Sequence, residues 1–307
     1  MAERESLRAA RRTFGTPTGI SVVIAAHNAI PDIDVQLEAL ARQDYDGEFE
    51  VVVSDNQGSA ELRHHLEHHP LRERLGLRWV DSSAVAGTSH ARNIGTRATC
   101  NEFVAYCDQD DAVYPGWLTA MTVTAKDYGI VGGLLERDTL NDPVVAQWRA
   151  LPPPEKLPLM AHFLPSTFGC NLGIWRSVFD EIGGWDDTYP TAGGDVDFCW
   201  RAQLRGYDLG YNPEALVAYR YRTTRREMFD QAVEYNMAEA RLAKQYAAQG
   251  ARGANPLILF GYLGLLLFRL PALPWNWPVG RRGQWYWVAG AVTGRIRGSV
   301  EQRHLYL

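Results

Sequence analysis

Between residues 20 and 134, short apolar runs alternate with stretches of helical spacing, and this alternation limits the fold more than any other feature of the chain. Residues 20–26 form a β-branched run that reads as a buried strand. Residues 33–42 carry apolar side chains at helical spacing behind Pro31-Asp32, a helix start. The same pattern predicts strands at 50–54, 77–81, 103–107 and 129–134, with helices at 61–69, 89–98 and 117–126. Strands and helices in this order fold as βαβ units, so the expected class is α/β, a mostly parallel sheet flanked by helices. Ligands of such sheets sit beyond the carboxyl ends of the strands. His27-Asn28, Asp55-Asn56 and Asp108-Gln109-Asp110-Asp111 follow the first, second and fourth strands, and their amides and carboxylates mark the candidate site.

The residue types there suggest particular chemistry. Asp108, Asp110 and Asp111 crowd carboxylates at a strand end, where like charges repel. A divalent cation relieves that repulsion; Mg²⁺ or Mn²⁺ takes one or two carboxylates and completes its shell with diphosphate oxygens and water. The other reading is an Asp-rich turn ahead of the helix at Pro115. Asp55-Asn56 suits hydrogen bonding to a base or ribose, or a strand-to-helix turn. Ser89 to Asn93 opens a helix, where backbone amides and Arg92 suit a phosphate; for Arg92 a surface ion pair is the alternative. Gly193-Gly194 delivers Asp195 to a helix start, as a general base toward a hydroxyl or as an N-cap. Arg201 is expected to pair with Asp197 four residues earlier. His64, His65, His68 and His69 read as a solvated helix face, because no carboxylate or cysteine framework accompanies them. His27 either lines a nucleotide pocket or satisfies local backbone. No Ser/His/Asp or Cys/His arrangement argues for a covalent intermediate. Residues 25–32 read AAHNAIPD, without the glycine fingerprint that a dinucleotide-dependent oxidoreductase needs after its first strand.

Composition sets outer bounds. The chain has 307 residues, 46% hydrophobic and 22% charged, as a globular protein does. A net charge of −5 gives no nucleic-acid footprint. The four cysteines sit in no metal spacing and no signal peptide precedes them, so they read as reduced core thiols of a cytoplasmic protein. Residues 1–18 read as a flexible tail, 19–225 as the principal domain and 226–307 as a helical C-terminal segment; the proline-rich 138–168 reads as a long loop or cover. Residues 228–246 form an amphipathic helix with Phe229, Val233, Met237 and Ala240 on one stripe. Residues 257–268 are almost wholly apolar, but a spanning helix needs about 20 residues. Tryptophans 275, 277, 285 and 287 follow, and six arginines stand against Glu301 alone after Gly264. Peripheral contact with the inner face of the cell membrane is one reading of this end, and a core helix packed on the principal domain is the other.

Six segments carry a resemblance: SVVIAAHN at 21–28, VVVSDNQGS at 51–59, AGTSHARNIGTRA at 86–98, FVAYCDQDD at 103–111, CNLGIWRSVFDEIGGWDD at 170–187 and GGDVDFCWR at 193–201. In this order they resemble family 2 glycosyltransferases, inverting enzymes of the GT-A fold. The end, GRIRGSVEQRHLYL at 294–307, resembles actinobacterial members that build cell-envelope or secreted glycans. The resemblance implies a UDP-, GDP- or dTDP-linked sugar donor, a glycan or lipid-linked acceptor, and Mg²⁺ or Mn²⁺. It implies that Ala26 and Asn28 lie in the nucleotide-sugar pocket, that Asp55 or Asn56 reads the base and that Arg92 lies near the nucleotide. Asp110 would bind the metal, and Asp108 the ribose or metal-bound water. Asp195 would be the catalytic base, with Asn171, Trp185 and Gly194 on the acceptor side. Gly194 stands where the family has Glu, 25–28 read AAHN in place of Pro-Ala-Tyr-Asn, and 218–222 read AYRYR without the histidine many members carry. A catalytically degenerate nucleotide-sugar-binding or scaffold protein is the alternative these departures leave open.

Overall fold

The structure, a computed structural model, describes residues 13–253, 256–275 and 277–306; residues 1–12 of the expected tail lie outside the described residues. Two compact units result. The first runs through Glu136 and takes in Pro153–Pro158 and Pro165–Tyr219; the second comprises Arg137–Pro152, Leu159–Leu164 and the chain from Arg220. The proline-rich stretch expected as one cover is thus divided between them.

The first unit holds β1 (Ile20–Ala26), β2 (Phe49–Asp55), β3 (Arg78–Asp81), β4 (Phe103–Asp108), β5 (Ala112–Val113), β6 (Ile130–Glu136), β7 (Leu172–Trp175) and β8 (Leu209–Ala218). They form one sheet in the order β3-β2-β1-β4-β7-β6-β8-β5. Its helices are α1 (Ile33–Leu40), α2 (Ala60–Glu67), α3 (Thr88–Ala98), α4 (Trp117–Ala125), α5 (Arg176–Ile182) and α6 (Gly194–Leu204). Strands β1, β2 and β4 read as unbroken apolar runs because both faces are covered; Val22, Val23 and Ile24 are wholly buried. The quartet β3-β2-β1-β4 is parallel, as the alternation predicts. Beyond it the sheet is mixed. The fifth predicted strand appears as β6, but β7 lies between it and β4, antiparallel to both. No crossover helix joins β6 to β7, so nothing obliges them to run parallel.

The register of β6 against parallel β8 slips after Gly133–Asn212 and resumes at Leu134–Leu216. Asn171 closes that gap. Its Nδ2 donates to the Leu134 carbonyl at 2.9 Å and the Ala215 carbonyl at 2.8 Å, while its Oδ1 accepts from Trp117 Nε1 at 2.9 Å.

In the second unit α7 (Arg225–Gln245) opens with a capping box between Thr224 and Glu227. Helix α9 (Arg281–Gln302) lies along it in the same direction. Their backbones meet at a glycine stripe: a Cβ at Gly290 would come within 2.4 Å of the Phe229 carbonyl, and one at Gly294 within 2.4 Å of that of Val233. Glu239 of α7 faces Arg295 of α9 at 4.0 Å; burial pushes its carboxyl above the usual range, and the guanidinium opposes that shift. Helix α8 (Pro256–Arg269) is held to α9 by Trp285 Nε1 on the Leu266 carbonyl (3.1 Å) and by Arg269 on Gln284 (3.1 Å). Among the described residues no helix is long and apolar enough to cross a membrane.

Candidate active site

Register brings the carboxyl ends of the parallel strands level. Asp81 pairs with Asp55, Asp55 with Ala26, and Ala25 with Asp108, so four neighbouring strand ends open on one edge. Asp55 is fully buried and accepts from the amides of Gln57 (2.9 Å), Gly58 (3.1 Å) and Ser59 (2.6 Å) and from Trp79 Nε1 (3.2 Å). Those donors fill the roughly four acceptor sites of a carboxylate. Asn56 donates to the carbonyls of Ser82 (2.6 Å) and Val85 (2.9 Å) and accepts from the Gly87 amide (2.6 Å). Both side chains are therefore spent on shaping the loops that follow β2 and β3, and the turn reading describes them better than direct base recognition.

Ala26 is buried and contributes its carbonyl, which accepts from the Asn56 amide at 2.8 Å. Asn28 is exposed in the left-handed region (φ 53°), its amide donating to Gln57 at 3.2 Å. Gln109 brackets His27: its Oε1 accepts from the His27 amide at 2.7 Å and its Nε2 donates to the His27 carbonyl at 2.8 Å. This clamp ties the acidic loop to β1, a role that its place between the aspartates gave no reason to expect.

Arg92 lies on the second turn of α3. The first amide of that helix, at Thr88, is taken by the Pro190 carbonyl at 2.7 Å. Its guanidinium donates to Asp108 at 3.0 Å and stacks 4.8 Å over the Trp185 ring. Trp185 is buried, edge-on to Tyr106 and packed on Phe198. It is the floor under Arg92. Asn171 is likewise fully buried and closes the ladder gap described above, so neither residue presents a polar wall to an acceptor.

Asp195 sits in the first turn of α6, half-buried. The N-cap is Gly193, in the left-handed region (φ 85°), so Asp195 is not the cap. Its Oδ2 accepts from the Gly169 amide at 3.0 Å and its Oδ1 from the Val196 amide at 2.9 Å. Gly169 also lies against Arg92: a Cβ there would come within 2.4 Å of Nη1. One glycine thus touches both the candidate base and the candidate phosphate-binding cation. Gly194 is equally confined, since a Cβ would meet Ser89 Oγ at 2.6 Å. The Ser89 hydroxyl donates to the Tyr189 carbonyl at 2.7 Å and fills the space through which a glutamate side chain at 194 would leave the backbone.

Asp108, Asp111 and Cys170 place ligand atoms within 4.8 Å of one another. The expected pair was Asp108 with Asp110; Asp110 is half-buried and outside that group, while Asp111 is fully buried within it. Burial, then the charges of Asp111 and Asp108, push the Cys170 thiol well above its ordinary pKa; Arg92 opposes and Asp195 adds. Asp108 and Asp111 are hard oxygen donors of the kind that fits Mg²⁺ or Mn²⁺. Strand β8 ends at Ala218, whose register partner Ala112 directly follows Asp111. The residues that follow, 219–222, read YRYR and bring no histidine.

Other predictions divide. Arg201 Nε donates to Asp197 at 2.7 Å, as its spacing implies. Cys107, Cys170 and Cys199 are buried, but Cys100 is exposed. The histidine face is only half solvated. His64 and His68 stack on the exposed side, whereas His65 and His69 turn to Asp34 of α1, at 2.6 and 3.4 Å. The sequence offered no carboxylate for them because Asp34 lies on another helix. His69 Nδ1 accepts from the Leu71 amide at 3.2 Å, so a neutral ring carries its proton on Nε2, on the side of Asp34.

An α/β sheet with an acidic loop at one strand end, an arginine beside it and an aspartate at a facing helix start is the architecture of a nucleotide-sugar-dependent transferase of the GT-A type. The model of glycosyl transferase family 2 matches residues 21–185, more than half of the chain, and the chain belongs to that family. It is 31% identical over 183 residues to the pre-mycofactocin glycosyltransferase of Mycobacterium tuberculosis, covering 57% of this chain and 38% of that protein. An uncharacterized glycosyltransferase of Haemophilus influenzae is 26% identical over 226 residues, 66% of this chain and 65% of the relative. The chain thus spans well under half the length of the mycobacterial relative it matches. Its fold is similar to that of the mannosyltransferase PcManGT from Pyrobaculum calidifontis, solved in complex with GDP-Man and Mn²⁺ (TM-score 0.60, 19% identity, 95% of this chain and 92% of that one). It is also similar to S. aureus TarS 1–349 in complex with UDP-GlcNAc (TM-score 0.54, 15% identity, 94% and 93%).

Proposed function

We infer that the chain is an inverting glycosyltransferase that moves one sugar from a nucleotide-diphosphate sugar to an acceptor hydroxyl, in the synthesis of an envelope or secreted glycan. The observation that carries this reading is a chain of contacts: the Gly169 amide donates to Asp195, Gly169 lies against Arg92, and Arg92 donates to Asp108, whose carboxylate groups with that of Asp111. Two carboxylates to hold a cation, a guanidinium for phosphate and a separate carboxylate for a proton are what the transfer requires. Membership of the family supports the reaction, and the GDP-Man and UDP-GlcNAc complexes of the two structural neighbours support the donor class.

Asp195 takes the hydroxyl proton as the oxygen attacks the anomeric carbon; two backbone amides fix the orientation of its carboxylate. Arg92 binds the diphosphate, and Trp185 beneath it fixes the guanidinium plane. Asp108 and Asp111 would hold Mg²⁺ or Mn²⁺, which when bound neutralises charge on the leaving diphosphate. The loops built by Asp55 and Asn56 enclose the nucleotide with backbone groups. Asp108 holds Arg92 in place before the donor arrives.

The test is the anomeric configuration of the product, read by proton NMR with the donor that binds. Inversion and an inactive Asp195→Asn variant are expected. Retention would contradict the single displacement, and an Asp195→Asn variant with unchanged turnover would remove the base.

A further inference from the structure

The large apolar side chains of α8 do not all face protein. Leu259 is buried, but Leu257, Phe260, Leu267 and Phe268 are 73, 67, 71 and 85% exposed. Leu257, Phe260 and Leu267 fall at i, i+3 and i+10, which is one helix face. The chain then presents Leu270, Trp275 and Trp277, 50, 76 and 70% exposed. Single exposed apolar residues are ordinary, but a contiguous set of this size marks a contact surface.

The charges that follow Gly264 in the sequence are nearly all of one sign. Residues after Gly264 carry six arginines and one acid, Glu301, in a chain whose net charge is −5. Arg295 is committed to Glu239; Arg297 and Arg303 are exposed, and Arg269, Arg281 and Arg282 are half-buried. Arg282 also donates to the carbonyls of Leu273 and Pro274, so a guanidinium braces the loop that carries the tryptophans.

We propose that this face docks on an anionic lipid bilayer, with α8 lying in the plane of the interface and Trp275 and Trp277 at headgroup depth. A helix of 14 residues spans roughly 21 Å, short of the ~30 Å hydrocarbon core, so it lies on the membrane and does not cross it. Exposed apolar residues on one face, tryptophans at its end and flanking arginines are the composition that binds interfaces. A second copy of the chain could cover the apolar residues, but it would set arginines against arginines; anionic headgroups compensate them instead. The inference stands on the second unit alone and holds whether or not the transfer reaction is as described.

Flotation of the purified full chain tests it, with vesicles of phosphatidylcholine alone and of phosphatidylcholine mixed with phosphatidylglycerol. The chain is expected to float with the anionic vesicles at least tenfold more strongly than with the neutral ones, since each arginine near an anionic surface gives roughly a fivefold gain. An F260S/F268S/W275S/W277S variant should keep its circular dichroism and melting temperature and lose flotation. Arg269→Gln with Arg281→Gln and Arg297→Gln should lose only the preference for anionic lipid. If the quadruple variant misfolds, F268S and W277S singly should still weaken flotation. Wild-type protein that stays at the bottom with anionic vesicles overturns the proposal. So does a quadruple variant that floats like wild type, or a wild-type dimer that the quadruple variant dissociates while neither binds lipid.

Discussion

Asp195 is held by the amides of Gly169 and Val196 and is not the N-cap of α6, which leaves its carboxylate available for a proton. Asp195→Asn keeps the shape and removes the basicity. It should lower kcat by about 10²–10⁴-fold, the usual contribution of a general base, and leave nucleotide affinity unchanged. Steady-state kinetics beside calorimetric nucleotide binding separates the two effects. At the preceding residue, Gly194, the departure from the family has a steric cause. Ser89 occupies the room a side chain at 194 would need, so Gly194→Glu should destabilise by about 1–3 kcal/mol through overpacking. Ser89→Gly in the same chain should recover much of that loss, a non-additivity that a double-mutant cycle on melting temperature would show.

Elements differ in how plainly the sequence announces them. Strands β1, β2 and β4 were legible because burial on both faces writes an unbroken apolar run. The antiparallel insertion of β7 was not, since its four residues read the same in either direction and partner choice depends on distant β6. Helix α9 falls within the expected helical C-terminal segment but without bounds of its own: its glycines disfavour helix, yet they are the surface that lets α7 approach. In the site, carboxylates at strand ends were visible, but their partners were not. Asp55 read as a base reader or as a turn residue, and four donors surround it; Asp111 read as one of three crowded carboxylates, and Cys170 comes beside it from another segment. Asn171 belongs to this scale. Asn171→Leu leaves two carbonyls and an indole N–H without partners and should cost about 2–4 kcal/mol in denaturant unfolding. The acceptor KM of the folded fraction should stay unchanged, because the side chain faces no cleft.

The whole molecule carries several buried acids that must stay protonated. Burial raises Cys199 from 9.0 to about 12 and Tyr106 from 10.0 to about 12, and it raises Cys107 and Cys170 as well. In the unfolded chain these groups lose their protons first. The contribution of these groups to stability should therefore be level below about pH 8.5 and fall as pH climbs from about 9 toward 12, by up to ~1.4 kcal/mol per pH unit for each such group. Urea unfolding across that range measures the slope, and Cys199→Ala should reduce it.

The central claim is that the acidic loop and Arg92 form a metal-assisted nucleotide-diphosphate site facing Asp195. A thermal-shift series of nucleoside diphosphates with and without Mn²⁺, on wild type, Asp108→Ala and Asp195→Asn, tests it most directly. A ligand at one hundred times its Kd stabilises by about 2.7 kcal/mol, an easily read shift. The account predicts a Mn²⁺-dependent rise for at least one nucleotide, lost in Asp108→Ala and kept in Asp195→Asn. No rise with any nucleotide, or one that survives Asp108→Ala intact, would contradict it.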